Sequence, residues 1–117
     1  MEEMPNRFKE PLLSVSEFIN LLNDVISKYK FNIRGEISSF TDRGNTVFFT
    51  IPDSETEASL SCLIWKSRFR ALGIDLEEGM EVKIFGSANI YERTGKFTFV
   101  ADNTIPLGEG VLRKDFE

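Results

Sequence analysis

Apolar and polar residues alternate with period two along two neighbouring stretches of the chain. In Asn32-Ile-Arg-Gly-Glu-Ile-Ser-Ser-Phe40, one register holds Ile33, Gly35 and Ile37. In Thr46-Val-Phe-Phe-Thr-Ile51, the matching register holds Val47, Phe49 and Ile51. Such alternation predicts strands with one face on a core. The opposite register is mixed: Arg34, Glu36, Ser38 and Phe40, then Thr46, Phe48 and Thr50. Ahead of these strands the period changes. Val15, Phe18, Ile19, Leu22, Val25, Ile26 and Tyr29 recur three or four apart, which predicts an amphipathic helix from Val15 to Tyr29. Ser14-Val-Ser-Glu17 is a capping-box pattern at its start.

The remaining elements follow from the same reading. The first strand runs from Phe31 to Thr41, with Gly35 marking a bulge or bend. Asp42-Arg-Gly-Asn45 is a turn signal, and a second strand continues to Ile51 before Pro52. A third strand spans Glu57 to Lys66, with Ala58, Leu60, Cys62 and Ile64 alternating against Ser59, Ser61, Leu63 and Trp65. Ser67 to Leu72 reads as a short helix closed by Gly73. A fourth strand, Met80 to Tyr91, turns at Arg93-Thr-Gly95 into a fifth, Lys96 to Ala101. Helix, three strands, short helix and hairpin is the order of a five-stranded OB-fold Greek-key barrel, mainly β, with the N-terminal helix added. Gly35 and Gly86 stand where such a barrel bends its strands. The expected organisation is a lead-in over residues 1–12, the barrel with its helix over 13–105, and a tail over 106–117 with a helix start at Val111.

Composition narrows the chemistry. One cysteine, Cys62, excludes an intrachain disulfide and a cysteine-based metal site. The absence of histidine excludes histidine acid–base chemistry and histidine ligation. Neither a phosphate-cradling glycine loop nor a metal-ligand spacing is present, so no cofactor is expected in this domain. The acids Glu36, Asp42 and Asp53 read as solvated groups at turns and strand ends, and no catalytic residue is assigned. The N-terminus has no apolar run and no stretch is long enough to span a membrane, so a cytoplasmic protein without a membrane partner is expected. The net charge of −5 argues against a strongly basic nucleic-acid binder, yet leaves room for a local basic groove.

The mixed register is where binding chemistry concentrates. Arg34, Ser38, Phe40, Phe48 and Trp65 lie opposite the core positions. Arg43, Lys66, Arg68, Arg70, Arg93 and Lys96 supply cations nearby. Aromatic faces beside arginine and lysine suit the stacking of single-stranded bases over a positive track. Two plainer readings remain open at this stage. The aromatic residues also fit a surface covered by the amphipathic helix or a register flipped by a bulge. The basic cluster also fits a solvated helix face.

These residues resemble a known family. Leu13-Ser-Val-Ser-Glu-Phe18 with Asn20, Arg34-Gly-Glu-Ile-Ser38 with Phe40, Phe48-Phe-Thr-Ile51 with Asp53, and Cys62 with Trp65-Lys66 are similar to the N-terminal domain of the exodeoxyribonuclease VII large subunit. Glu78-Gly-Met-Glu-Val82, Ile90-Tyr-Glu-Arg93 with Gly95, and Gly108-Glu-Gly110 follow in the family's order. The resemblance implies an OB-fold that binds single-stranded DNA for a nuclease that degrades it to oligonucleotides and nucleotides. It implies a small-subunit partner reached through a part of the parent chain absent here, and a catalytic domain lying beyond Gly110. The chain alone is therefore expected to bind rather than cleave. The family's aromatic–basic DNA contact maps onto Trp65 and Lys66, where Phe-Arg is usual. A histidine before the second strand and a lysine at Pro52 are also replaced, which lowers the local positive charge. Two rival functions stay open: a protein-interaction module using the N-terminal helix or self-association, and an RNA-binding OB module.

Overall fold

The computed structural model describes residues 10–108. The expected helix start at Val111 and the first nine residues of the lead-in lie outside that range. The elements are α1 (Val15–Ile26), β1 (Phe31–Glu36), β2 (Ser39–Asp42), β3 (Thr46–Pro52), β4 (Ser59–Trp65), α2 (Lys66–Leu72), β5 (Glu81–Tyr91) and β6 (Lys96–Pro106). The sheet order is β1-β5-β6-β4-β3-β2. All pairings are antiparallel except β4 with β6, which meet in parallel at Cys62–Phe99 and Leu63–Val100. β1 and β2 stand at opposite ends of this order but are consecutive in the chain. The sheet is open, since β1 and β2 do not pair, but its ends approach each other where Gly35 of β1 lies against Ile51 of β3.

The strand count corrects the sequence expectation: the described residues form six strands, not five. The stretch read as one first strand breaks at Ile37–Ser38 because its halves pair with different partners. Before the break, Phe31–Glu36 pairs with Gly86–Glu81 of β5. At the break, the Ile37 N–H donates to the Met80 carbonyl (2.8 Å), and the Ile37 carbonyl accepts from Gly79 (2.7 Å). The Ser38 N–H then donates to Thr50, and Ser39–Asp42 continues against β3. The Ile37 N–H and carbonyl and the Ser38 N–H thus find partners through the corner, which offsets the ladder bonds lost there.

The glycines divide the bending between them. At Gly86 the β5–β6 register shifts, and a side chain there would run into the backbone of Val100 and Ala101. At Gly35 an added Cβ would collide with the side chain of Ile51. Gly35 thus permits close approach of β1 to β3, and the bend itself falls two residues later. β6 is also longer than expected. Beyond Ala101, Asn103 to Pro106 keep pairing with Phe85 to Val82 on the far side of the shift.

The core is the alternation made solid. Ile37, Val47, Phe49, Ile51, Cys62, Ile64, Val82, Ile84, Phe99 and Ala101 are buried together. α2 closes one side of this cluster through Phe69 and Leu72, and Gly73 ends the helix at φ 65°.

α1 is shorter than expected, ending at Ile26 before turns at Lys28 and Tyr29 that bond back to Val25 and Ile26. Its capping box is formed: the Glu17 N–H donates to Ser14 Oγ (3.1 Å) and the Ser14 N–H to Glu17 Oε1 (2.8 Å). The helix lies on β5. There the Asn23 side chain donates to the Ile90 carbonyl (2.9 Å) and accepts from its N–H (2.8 Å), covering an otherwise open strand edge. Ile19 is buried, and Leu22 and Ile26 are half-buried. Val15, Phe18, Leu21, Val25 and Tyr29 remain exposed. No helix among the described residues is long and apolar enough to cross a membrane.

Candidate nucleic-acid interface

The outward register of β2, β3 and β4 forms one wall of a groove of about 910 Å3, and the β5–β6 hairpin forms the other. Strand register sets its floor. Thr41 lies opposite Phe48, Phe48 opposite Leu63, Leu63 beside Val100, and Val100 opposite Ser87. This row crosses five strands. A second row joins Ser39, Thr50 and Ser61, and a third joins Thr46 to Trp65. On the hairpin wall Tyr91 pairs with Lys96 and Asn89 with Thr98. All of these residues line the groove.

Three aromatic side chains face this space with different freedom. Phe48 is half-buried, and the Arg43 guanidinium sits 5.0 Å from its ring centroid. That stacking orients the arginine at the groove's edge. Trp65 is 56% exposed at the last position of β4, where its extended backbone also starts α2. Tyr91 is 50% exposed at the end of β5. The groove therefore offers flat, partly open faces on both walls.

Charge is distributed unevenly. Among the twenty lining residues, Arg43 and Lys96 are the cations, and there is no aspartate or glutamate. The whole chain carries nineteen acidic residues against fourteen basic ones. Most of the other polar lining groups are hydroxyls: Ser39, Thr41, Thr46, Thr50, Ser61, Ser87, Thr94 and Thr98. They can donate or accept and carry no charge.

Sequence-predicted site residues divide accordingly. Phe48, Trp65 and Arg43 come together in the groove. Phe40 does not: the break at Ile37–Ser38 turns it inward, where it packs on the core with its ring 6.3 Å from Phe69. The same break puts Ser39 on the groove face, while the Ser38 hydroxyl donates to the Thr50 carbonyl (3.3 Å). Arg34 lies elsewhere, in a pocket of about 410 Å3 with Glu36, Asp53 and Glu81. It is ion-paired to Glu81 at 3.1 Å, and that hydrogen bond raises its pKa. Lys66 is ion-paired to Asp42, and Arg68 is exposed on α2. Arg93 is exposed in the turn next to Thr94. None of these four lines the groove.

Tyr91, Ser39 and Thr41 were missed as site residues. Tyr91 carried a signal, since it precedes the turn Glu92-Arg-Thr-Gly95 and lies opposite the apolar register of Val82, Ile84, Gly86, Ala88 and Ile90, which the shift at Gly86 leaves intact because its extra residue, Asp102, is in β6. Cys62 lies under the groove floor, and burial pushes its thiol up to about 12, leaving it a protonated core residue. Among the described residues no cluster of acids and cysteine could hold a metal ion.

Comparison with known proteins agrees with the fold. Residues 13–104 match the family described as OB-fold nucleic acid binding domain. The chain belongs to that family. It is also similar to the exodeoxyribonuclease 7 large subunits of Streptococcus agalactiae and Streptococcus mutans, each 32% identical over 85 residues. That match covers 73% of this chain and 19% of each relative, so the chain spans about a fifth of their length. Two solved structures share the fold at 16% identity. One is the S. pombe Stn1–Ten1 complex, with TM-score 0.59 over 74% of this chain and 63% of that one. The other is Rim1, a mitochondrial single-stranded DNA binding protein of S. cerevisiae, with TM-score 0.53 over 68% and 93%.

Proposed function

We propose that this OB-fold domain binds single-stranded DNA in the groove between β2-β3-β4 and the β5–β6 hairpin, and that it serves an exodeoxyribonuclease VII large subunit by holding substrate. One observation carries the reading: three aromatic faces and two cations converge on a groove free of carboxylates, in a chain with net charge −5. Bases stack on Trp65, Tyr91 and Phe48, each contact contributing roughly 1–3 kcal/mol. Arg43 and Lys96 meet phosphates, and the hydroxyls meet sugars and base edges. A duplex keeps its base faces stacked internally, so it gains nothing from the aromatic residues. The chain's part is positioning; hydrolysis and the small-subunit contact belong to the remainder of the parent protein.

The test is fluorescence anisotropy with labelled poly-dT, against duplex DNA and poly-U. Binding to poly-dT with little for duplex is the expected result. Preference for poly-U would move the reading to RNA, where the 2′-hydroxyl is the distinguishing group. No binding to any of them at low salt would remove the groove as a nucleic-acid site.

A second reading is favoured by α1, where Val15, Phe18, Leu21, Val25 and Tyr29 stay exposed. An apolar stripe of this kind suits a protein contact, including self-association. Sedimentation at micromolar concentration tests it, and a strictly monomeric protein would argue against self-association.

A further inference from the structure

The resemblance gives Lys66 to the DNA, but the structure gives its ammonium to Asp42. The Lys66 side chain is only 20% exposed. The other Asp42 oxygen, Oδ1, accepts the Gly44 N–H at 2.9 Å. The Lys66 backbone N–H donates to the Asn45 carbonyl at 2.8 Å. The β2–β3 turn is thus tied to the β4–α2 junction twice, once through each end of the same lysine. That turn carries Arg43 over Phe48, and the junction carries Trp65.

Resting on the groove being the single-strand site, we propose that Lys66 and Asp42 form a lock that fixes Arg43 and Trp65 relative to each other. Lys66 is a positioning residue and makes no phosphate contact. To reach a phosphate it would have to leave Asp42, exposing a carboxylate beside the anionic strand. Held in place, it neutralises that carboxylate and keeps the turn against the start of α2. The pair adds no cation to the DNA track, yet Arg43, one of the track's two cations, and its most exposed stacking ring both hang from it.

A double-mutant cycle separates the two roles. Lys66→Met removes the ammonium but keeps the stem. Asp42→Asn removes the charge but leaves an oxygen to accept from Gly44. If the pair is a lock, each single variant weakens poly-dT binding roughly three- to tenfold, and the double variant loses little more than one single. The salt dependence stays that of the unaltered protein, and Lys66→Arg, which keeps the ion pair, restores affinity. If Lys66 contacts phosphate, Lys66→Met flattens the slope of log K against log salt by about 0.7. Asp42→Asn then tightens binding by freeing the lysine. Either result overturns the lock, as does full affinity in both single variants. A readout without DNA keeps the lock distinct from the groove assignment. Trp65 is the only tryptophan. Its time-resolved anisotropy in the free protein should show a more mobile indole in both single variants, at temperatures where circular dichroism shows them folded. Unchanged mobility in both would sink the lock whatever the DNA does. Failure of the unaltered protein to bind poly-dT, with Trp65 loosened as expected, would sink the groove assignment alone.

Discussion

Salt dependence is the most direct measure of how many cations touch the strand. For single strands, log K falls with log salt at a slope of about −0.7 per phosphate neutralised. The groove is lined by two cations, Arg43 and Lys96. Their combined slope is about −1.4, so raising salt from about 50 to 200 mM should weaken binding roughly sevenfold. The sequence alone suggests a different value. With Arg34, Arg43, Lys66, Arg68, Arg70, Arg93 and Lys96 all engaged, the slope would be about −4.9 and the same change would cost roughly a thousandfold. The structure removes Arg34 and Lys66 through their ion pairs and leaves Arg68, Arg70 and Arg93 off the groove. Lys96→Gln should then halve the slope to about −0.7. The assay is a poly-dT anisotropy titration at five or more salt concentrations, for both proteins. A slope steeper than about −3 in the unaltered chain would refute the two-cation groove, and an unchanged slope in Lys96→Gln would remove that lysine from it.

The aromatic residues separate binding from stability. Trp65→Ala and Tyr91→Ala should each weaken poly-dT binding about tenfold or more with little change in Tm, since both rings are half exposed. Phe40→Ala should do the reverse, costing about 3 kcal/mol in denaturant unfolding, because its ring packs on the core. Gly86→Ala should destabilise by at least about 2 kcal/mol, since the added methyl meets the Val100 and Ala101 backbone and neither can rotate away. Native Cys62 should resist a thiol reagent at pH 8 and react once the chain is unfolded in urea; rapid native labelling would contradict its burial. Stability should also fall in acid. The Lys66 hydrogen bond lowers the Asp42 pKa, backbone bonds from Glu55 and Thr56 lower that of Asp53, and the capping box lowers that of Glu17. A carboxyl depressed in the folded state stabilises fully above its unfolded pKa and loses that contribution as pH falls through the folded one. Tm should thus be flat from pH 7 to about 5 and decline below about 4. A Tm that rises on acidification below pH 4 would contradict this sign.

Much of the architecture was legible in the chain because it depends on local periodicity. Val47, Phe49 and Ile51 alternate, and they are the core. Ser14 and Glu17 are spaced to cap a helix, and they do. Cys62 and Ile64 set the register of β4, which places Leu63 and Trp65 outward without knowledge of the fold. Those alternations, with the glycine and turn positions, were sufficient to name the class and to bring Phe48, Trp65 and Arg43 to one face.

What periodicity could not supply was the consequence of one strand serving two partners. Alternation is a rule about unbroken backbone. At Ile37–Ser38 the chain leaves β5 for β3, and the hydrogen bonds to Met80 and Thr50 that make the corner come from residues 43 and 12 positions away. The count of alternate faces restarts there, so Phe40 moves into the core and Ser39 and Thr41 move out. The shift at Gly86 does the same for β6, where Asp102 is the extra residue: Phe99 and Ala101 are buried on one side of it and Thr104 on the other. Charge obeys the same division. The sequence determined how many cations exist near the site. Only tertiary contact decided that Arg34 belongs to Glu81 and Lys66 to Asp42, because an ion pair depends on distance in space and the partners lie 47 and 24 residues apart.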